Sequence, residues 1–313
     1  MSCVLCAGQN VTTVQRAKVP TLQNRDYATA NEALAARHGR LDVQACSNCG
    51  YACNAAFDSA LLAYDEKCNN DVPSRVFDEY YRQIAAYLRE RYVPRGGVVL
   101  DIGCGKGQFL QTMIGMFSNI RGIGVDPSCR AYDGERLKLV PAEFPKFLPE
   151  SAPDLVVCRH TLEHIPNPVR FIRAIGDAVP VRTPVFFEIP DAAWIVRNGA
   201  FWDWCYEHVN YFIAESAAHA LMAAKIGNTT STNGFGAQYL WMEGRTNVQI
   251  ACGIAAAGPQ FCQRALGLCR QRGPASRWRP PSDPAVEAGR QDDSSMGNGN
   301  ARNRVRGAGG SRR

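Results

Sequence analysis

The chain has 313 residues, of which 46% are hydrophobic, 20% charged and 9% aromatic. This composition is sufficient for at least one sizeable core, and it excludes a collagen, a wholly disordered chain and a small disulfide-stapled toxin. The net charge is +6, from 35 basic and 29 acidic residues, but residues 245–313 hold 12 arginines and only 4 acids. The preceding 244 residues therefore carry 23 basic and 25 acidic side chains, which argues against a nucleic-acid groove across them.

The sequence contains no run of about 18 apolar residues that would predict a membrane span. Its N-terminus has neither the basic segment nor the long apolar segment of a signal peptide. We therefore expect a cytoplasmic protein without a membrane partner. In such a protein, thirteen cysteines indicate metal binding or packing rather than disulfides.

The N-terminal stretch, residues 1–70, contains six of these cysteines and two Cys-x-x-Cys knuckles. Each knuckle places two thiolates at a distance that suits one tetrahedral ion, and two knuckles complete a four-thiolate site. The predicted ligands of a structural zinc ion are Cys3, Cys6, Cys46 and Cys49. Cys53 and Cys68 are alternative ligands, and reduced cysteines unrelated to a metal are the other interpretation.

Residues 71–97 are predicted to form a helical linker, because apolar residues from Val72 to Arg91 recur at helical spacing before Pro94-Arg95-Gly96-Gly97. Short apolar runs then alternate with helical patterns through residues 98–244. The predicted strands are Val98–Ile102, Ile120–Val125, Asp154–Cys158 and Pro184–Ile189, and the predicted helices are Gln108–Phe117, Asn167–Ala178 and Ile213–Ala224. This alternation predicts an α/β fold with a Rossmann-like parallel sheet and helices on both faces.

A glycine-rich loop follows the first of these strands, with Asp101 at the strand end and glycines at 103, 105 and 107. Gly107 follows Lys106 where a Walker loop requires Ser or Thr, and Gln108 stands where a dinucleotide fingerprint requires glycine. The pattern D-x-G-x-G-x-G resembles the first motif of class I S-adenosylmethionine-dependent methyltransferases. The glycines would let the ligand approach the backbone, and Asp101 would attract its ammonium group.

A second acid is expected at the end of the next strand, where it would accept hydrogen bonds from ribose hydroxyls. Asp126 occupies that position, 25 residues after Asp101. An exposed turn acid before Pro127 is the alternative interpretation of Asp126.

Histidines lie in loops that follow the later strands. In open parallel sheets ligands bind outside the carboxyl ends of strands, so the loop with His160 and His164 is expected over the cofactor. For His160, a role in fixing the loop and a functional role both remain open. The aromatic residues around His208 would lower the local dielectric and keep its imidazole neutral, as a general base requires. A histidine satisfied within the core is the alternative for His208.

Together these motifs resemble one family, the sugar C-methyltransferases with an N-terminal zinc-binding domain. The resemblance covers most of residues 1–244 in order. The matching segments are Cys49-Gly50 with the paired knuckles, Phe57-Asp58-x3-Leu62-x-Tyr64, Leu100–Gly107, Gly124–Pro127, Leu162–Pro168, Phe187–Pro190, Tyr206-Glu207-His208-x2-Tyr211-Phe212 and Gly236-x-Gln238-Tyr239-Leu240.

The resemblance implies that residues 98–244 form a methyltransferase domain after the zinc-binding domain. It implies methylation of the carbon alpha to the ketone of a nucleotide-linked 4-keto-6-deoxy sugar, in deoxysugar biosynthesis. His208 would be the general base, Glu207 and Tyr206 would orient it or polarise the ketone, and His164 would stabilise the enolate oxygen. The implied cofactors are S-adenosylmethionine and a structural Zn2+. We expect a monomer or weak homodimer with a nucleotide-sugar substrate and no nucleic-acid partner.

The last 69 residues depart from this family, whose members usually continue into a C-terminal Rossmann-type domain. Residues 245–313 are rich in Arg, Gly, Pro and Ser, and they predict a low-complexity basic tail that is largely disordered. A shifted reading frame in GC-rich DNA, or a diverged truncated relative, would explain this composition. The alternatives left open are an O- or N-methyltransferase on another small metabolite, a relative that binds cofactor without turnover, and a zinc-knuckle nucleic-acid binder.

Overall fold

The computed structural model describes residues 2–62, 74–147 and 149–248. Cys68 and most of the predicted basic tail therefore lie outside the described residues. The described strands are β1 (Val11–Pro20), β2 (His38–Cys46), β3 (Ala52–Asn54), β4 (Gly97–Ile102), β5 (Ile120–Val125), β6 (Tyr132–Asp133), β7 (Leu137–Val140), β8 (Leu155–Arg159), β9 (Pro184–Pro190), β10 (Asn210–Tyr211), β11 (Ile226–Gly234) and β12 (Tyr239–Thr246). The described α-helices are α1 (Ala30–Leu34), α2 (Arg75–Tyr92), α3 (Gln108–Met116), α4 (Pro168–Ala178), α5 (Ala192–Asn198) and α6 (Ala214–Ala223). Among these helices none has the length and apolarity needed to cross a membrane.

The larger sheet has the strand order β11-β12-β9-β8-β4-β5-β7-β6. Its five central strands, from β9 to β7, are mutually parallel. The outer strands β12 and β6 run antiparallel to their inner neighbours. This mostly parallel sheet confirms the predicted Rossmann-like α/β fold.

Helices cover both faces of this sheet, because side chains on a strand alternate between its two faces. Leu100 of β4 lies in one core cluster with Ile172 of α4 and Leu221 of α6. Val99 lies in a second cluster with Leu88 of α2, on the face that also packs α3. The sheet is therefore buried on both sides, as its nearly continuous apolar strands predict.

The sequence-based elements of this region coincide with the structure to within about three residues. The strand predicted at Ile120–Val125 is β5 without change. The helix predicted from Val72 to Arg91 is α2, which runs from Arg75 to Tyr92. The side chain of Ser74 accepts a hydrogen bond from the backbone N–H of Phe77 and so caps α2. The antiparallel pair β11–β12 was not predicted, since β11 is largely polar and carries no alternating apolar pattern.

A separate four-stranded sheet has the order β1-β2-β3-β10. Strands β1 to β3 come from the cysteine-rich N-terminal stretch, whereas β10 comes from the segment that directly follows His208. Asn210 and Tyr211 of β10 pair antiparallel with Cys53 and Ala52 of β3. The predicted catalytic residues Tyr206, Glu207 and His208 therefore lie directly before an edge strand of the N-terminal sheet.

Candidate active site

The parallel strands bring the predicted site residues to one edge of the larger sheet. The glycine loop follows β4, Asp126 follows β5, and the loop that contains His160 and His164 follows β8. Because β5, β4 and β8 are adjacent and parallel, these loops leave the sheet side by side. This carboxyl edge is where open α/β sheets bind ligands.

The three glycines of the loop all have left-handed backbone, with φ of +77° at Gly103, +53° at Gly105 and +81° at Gly107. A Cβ on Gly103 would lie 1.9 Å from the hydroxyl of Thr161, and one on Gly107 would lie 2.9 Å from the side chain of Leu139. A Cβ on Gly105 would have no described atom within 4 Å. Gly103 and Gly107 are therefore required by the protein's own packing, and Gly105 has the open space that a ligand could use.

Asp101 is only 3% exposed, and its Oδ1 has no hydrogen-bond partner within the described residues. Burial raises the pKa of this carboxyl to about 7, against the opposing effect of the Arg159 cation. An unpaired buried carboxylate oxygen is costly, and an ammonium group would satisfy it. The orphaned oxygen and the space at Gly105 fit the methionine portion of S-adenosylmethionine.

Asp126 supports the same loop. Its Oδ2 accepts a hydrogen bond from the Gly105 N–H at 3.0 Å, and its Oδ1 accepts from the N–H and the hydroxyl of Ser128 at 2.7 and 2.6 Å. Oδ2 accepts only one bond from the described residues and can accept another, so these contacts leave capacity for a ligand hydroxyl. Ribose binding by Asp126 stays a prediction.

His164 and His208 lie together, with ring centroids 5.0 Å apart and the rings at 75°. The Nδ1 of His164 is 3.0 Å from the carbonyl oxygen of Glu207 and must donate, since a carbonyl only accepts. Burial, with the nearby His164, lowers the pKa of His208 to about 3, although Glu163 and a hydrogen bond to the backbone of Asp203 oppose the shift. The imidazole of His208 is therefore neutral near pH 7.

The side chains of Tyr206 and Glu207 form hydrogen bonds to the N-terminal stretch. The hydroxyl of the fully buried Tyr206 accepts a hydrogen bond from the N–H of Asp58 at 2.8 Å. An oxygen of the Glu207 carboxylate accepts from the N–H of Gln23 at 2.7 Å. These contacts anchor the backbone on which His208 lies, and a direct role in catalysis stays a prediction.

The sequence analysis left His160 open and did not select its buried partners. His160 has a left-handed φ of +48°, and its ring lies 3.6 Å from a Glu163 carboxylate oxygen and 3.3 Å from one of Glu188. Burial would lower the pKa of His160, but these two carboxylates raise it to about 9. An acid inside the apolar segment PVFFEIP was the sequence signal that could have identified Glu188.

Asn210 joins the histidine loop to the cysteine-rich stretch, and the sequence analysis missed it. Its Nδ2 donates to the carbonyl oxygens of Leu162 and Ile165 at 2.9 and 2.7 Å. Its Oδ1 accepts a hydrogen bond from the hydroxyl of Tyr51, two residues after Cys49. The buried amide therefore links the two regions directly.

The four knuckle cysteines form one cluster, with all Sγ atoms within 4.8 Å of one another. The Sγ–Sγ distance is 3.7 Å both for Cys3–Cys49 and for Cys6–Cys46. A Zn–S bond of about 2.3 Å in a tetrahedral site places sulfurs about 3.8 Å apart, so the cluster fits a Zn2+ ion. Cys53 is not part of the cluster.

Comparison with known proteins shows what this chain is similar to. Residues 75–225 match a family described as a methyltransferase domain. A curated relative, the ubiquinone biosynthesis O-methyltransferase of Shewanella pealeana, is 32% identical over 117 residues, which cover 32% of this chain and 49% of the relative. The chain thus spans about half the length of this relative.

Solved structures of methyltransferases are similar over about half of this chain. A methyltransferase of calicheamicin biosynthesis with S-adenosylhomocysteine bound has a TM-score of 0.43 at 20% identity, covering 54% of each chain. A 1,6-didemethyltoxoflavin N1-methyltransferase from Burkholderia thailandensis, with its substrate and S-adenosylhomocysteine, has a TM-score of 0.42 at 16% identity. That match covers 56% of this chain and 82% of the other.

Replacement of Asp126 by alanine is expected to weaken binding of S-adenosylhomocysteine by about 10- to 100-fold, because it removes the acceptor for the ribose and the support of Gly105. Isothermal titration calorimetry measures the effect. Glu135→Ala, which removes an exposed acid, is the matched control and should bind normally. Equal dissociation constants for the two variants would contradict the assignment.

Proposed function

We propose that the protein is an S-adenosylmethionine-dependent C-methyltransferase that acts alpha to the ketone of a nucleotide-linked 4-keto-6-deoxy sugar. The observation that carries the proposal is that the glycine loop and the loop of His164, whose ring lies 5.0 Å from that of His208, leave the same edge of one sheet. The sugar substrate is supported by the order of the motifs through residues 1–244, which resembles that of the sugar C-methyltransferases.

The cofactor would be held by Asp101 and by the loop that contains Gly103, Gly105 and Gly107, with Asp126 at the ribose. When bound there, it supplies an electrophilic methyl group. The orphaned oxygen of Asp101 would pair with the ammonium group. The protein's contribution at this end of the site is to fix the methyl donor against the acceptor carbon, because correct orientation is itself a large part of the rate.

His208 would remove the proton alpha to the ketone. The C–H bond breaks, its electron pair enters the enolate, and the proton forms an N–H bond on the neutral imidazole. The enolate carbon would then accept the methyl group that the bound cofactor supplies, with the electron pair of the methyl–sulfur bond left on sulfur. After product release, the proton passes from His208 to water.

His164 would stabilise the enolate oxygen. Its Nδ1 donates to the carbonyl of Glu207, so donation to the substrate must come from Nε2. This role therefore requires the imidazolium form of His164, with a proton on each nitrogen. The positive charge of His164 would stabilise the negative charge that develops on the ketone oxygen.

The proposal assigns Zn2+ to Cys3, Cys6, Cys46 and Cys49. Four thiolates leave no open coordination position, so the ion would have a structural role. We propose the division suggested by the sequence, with a zinc-binding domain at 1–70, a helical linker at 71–97 and the methyltransferase domain at 98–244. Because β10 pairs with β3, the zinc-binding domain would also support the active site.

Methyl transfer to oxygen is the second candidate, because the curated relative is named an O-methyltransferase. In that reaction His208 would take the proton of a hydroxyl group, and no enolate would form. The two candidates differ in the atom that receives the methyl group. The test is to supply 13C-methyl-labelled S-adenosylmethionine with a panel of nucleotide-linked 4-keto-6-deoxyhexoses and catechols, and to identify the labelled product by NMR.

A further inference from the structure

We propose that Glu163 is a positioning residue whose buried carboxylate stabilises the protonated form of His208 during the reaction. This inference rests on the proposed function, in which His208 accepts the substrate proton. It assigns a role to a residue that belongs neither to the glycine loop nor to the zinc site and that is not the predicted base. The role is electrostatic, because Glu163 acts through His208 and not on the substrate.

The first observation is that Glu163 has an unused acceptor. Its side chain is 2% exposed, and its Oε2 has no hydrogen-bond partner within the described residues. One acceptor atom from each of Glu163, His164 and His208 lies within 4.8 Å of the other two. A buried carboxylate, with one oxygen unpartnered in the described part of the chain, therefore lies beside the two imidazoles.

The second observation is that the Nδ1 proton of His164 is already engaged. Nδ1 donates to the carbonyl oxygen of Glu207, so that proton is not available to Glu163. Protonation of His208 places a further positive charge beside the carboxylate, which Glu163 is positioned to offset.

The third observation is a buried row of alternating charges that ends at Glu163. Arg159 donates from Nε to Glu188 at 2.7 Å, and the His160 ring lies between the carboxylates of Glu188 and Glu163. Burial would raise the pKa of Glu163, but the hydrogen bond from His160 and the neighbouring histidines hold it below its usual range. The row keeps Glu163 ionised and fixed in place.

The proton balance is that of the proposed reaction. The alpha C–H bond breaks, the proton forms an N–H bond on His208, and Glu163 remains a carboxylate throughout. Its negative charge offsets the imidazolium charge, and because Glu163 is buried the two charges interact more strongly than they would in water. The histidine becomes a stronger base without any proton moving to Glu163.

The test uses Glu163→Gln in the full chain, with Glu135→Gln as the control at an exposed acid. The probe is a nucleotide-linked 4-keto-6-deoxyhexose in deuterium oxide with S-adenosylhomocysteine bound, and the readout is hydrogen exchange at the carbon alpha to the ketone. We expect exchange and kcat to fall by about 10- to 100-fold in Glu163→Gln. The dissociation constant of S-adenosylhomocysteine and the KM for the sugar should both stay within about twofold of wild type, because Glu163 contacts neither ligand in the proposed role.

Two further variants keep the proposal testable if Glu163→Gln folds poorly. Glu163→Asp retains the charge and should recover part of the exchange rate, whereas a purely steric role predicts no advantage over glutamine. His160→Gln removes the cation beside Glu163 and should slow exchange as well. Because the chain has five histidines, 15N imidazole spectra can also follow His208 directly, and its resonances should move in Glu163→Gln.

The outcomes separate this inference from the proposed function. A wild-type enzyme that transfers methyl groups without alpha exchange would overturn both. Normal exchange in wild type and in Glu163→Gln would overturn the role of Glu163 alone. A second equivalent of divalent metal in purified wild type, lost in Glu163→Gln, would also overturn it, since the free nitrogen of His208 would then be a metal ligand.

Discussion

Replacement of His208 by alanine is expected to reduce methyl transfer by about 10²- to 10⁴-fold, the usual contribution of a general base. Binding of S-adenosylhomocysteine should be unchanged, because His208 lies in the segment before β10 and the glycine loop follows β4. Turnover with labelled cofactor and calorimetry measure the two effects separately. The loss of kcat without a loss of cofactor affinity is the expected signature.

His219→Ala is the matched control for this prediction, because His219 lies on α6 and outside the predicted site. It should retain wild-type turnover. His208→Asn preserves a polar side chain that cannot act as the base, and it should be nearly as inactive as the alanine variant. Near-normal turnover in His208→Ala would show that another residue removes the proton.

Replacement of Cys49 by serine is expected to destabilise the protein by on the order of 4 kcal/mol, because loss of a structural metal is among the largest single-substitution effects. For a domain of this size the melting temperature should fall by about 8–16 °C. Thermal unfolding together with metal analysis measures the effect. Cys53→Ser is the control, since Cys53 lies outside the four-cysteine cluster, and it should retain the metal.

The same substitution should also lower turnover, because Tyr51 and Asn210 connect the cysteine cluster to the histidine loop. Asn210→Asp tests this connection without touching the metal. It should retain zinc and lose activity, since a carboxylate cannot donate to the carbonyls of Leu162 and Ile165. Asn198→Asp, at an exposed position, is its control. Full activity in metal-free protein would contradict the connection.

The features that depend on short stretches of sequence were predictable. The predicted strand Val98–Ile102, the glycine loop and Asp126 lie within 29 consecutive residues, and their chemistry follows from local pattern alone. The four-cysteine cluster was predictable for a related reason. Each Cys-x-x-Cys pair is local in sequence, so only one long-range contact, between the two pairs, is needed to form the cluster. The family match over residues 75–225 supports the methyltransferase domain that these motifs implied.

The contacts that hold the histidine pair were not predictable from local pattern. Gln23 bonds to Glu207 across 184 residues, and Tyr51 bonds to Asn210 across 159. Such polar contacts leave no periodicity in the sequence, because neither partner belongs to an apolar face. The burial of Glu163 was not predicted either. The His160 ring lies 3.6 Å from its carboxylate, and its backbone carbonyl accepts a hydrogen bond from the N–H of Val209.

The most direct measurement of the central claim is the position of the transferred methyl group in the product. With 13C-methyl-labelled S-adenosylmethionine and a nucleotide-linked 4-keto-6-deoxyhexose labelled in its ring carbons, the NMR spectrum reports whether the new methyl carbon is bonded to carbon. The proposed function predicts a one-bond carbon–carbon coupling to the ring carbon next to the ketone. A labelled methyl group on oxygen or nitrogen, without that coupling, would contradict it.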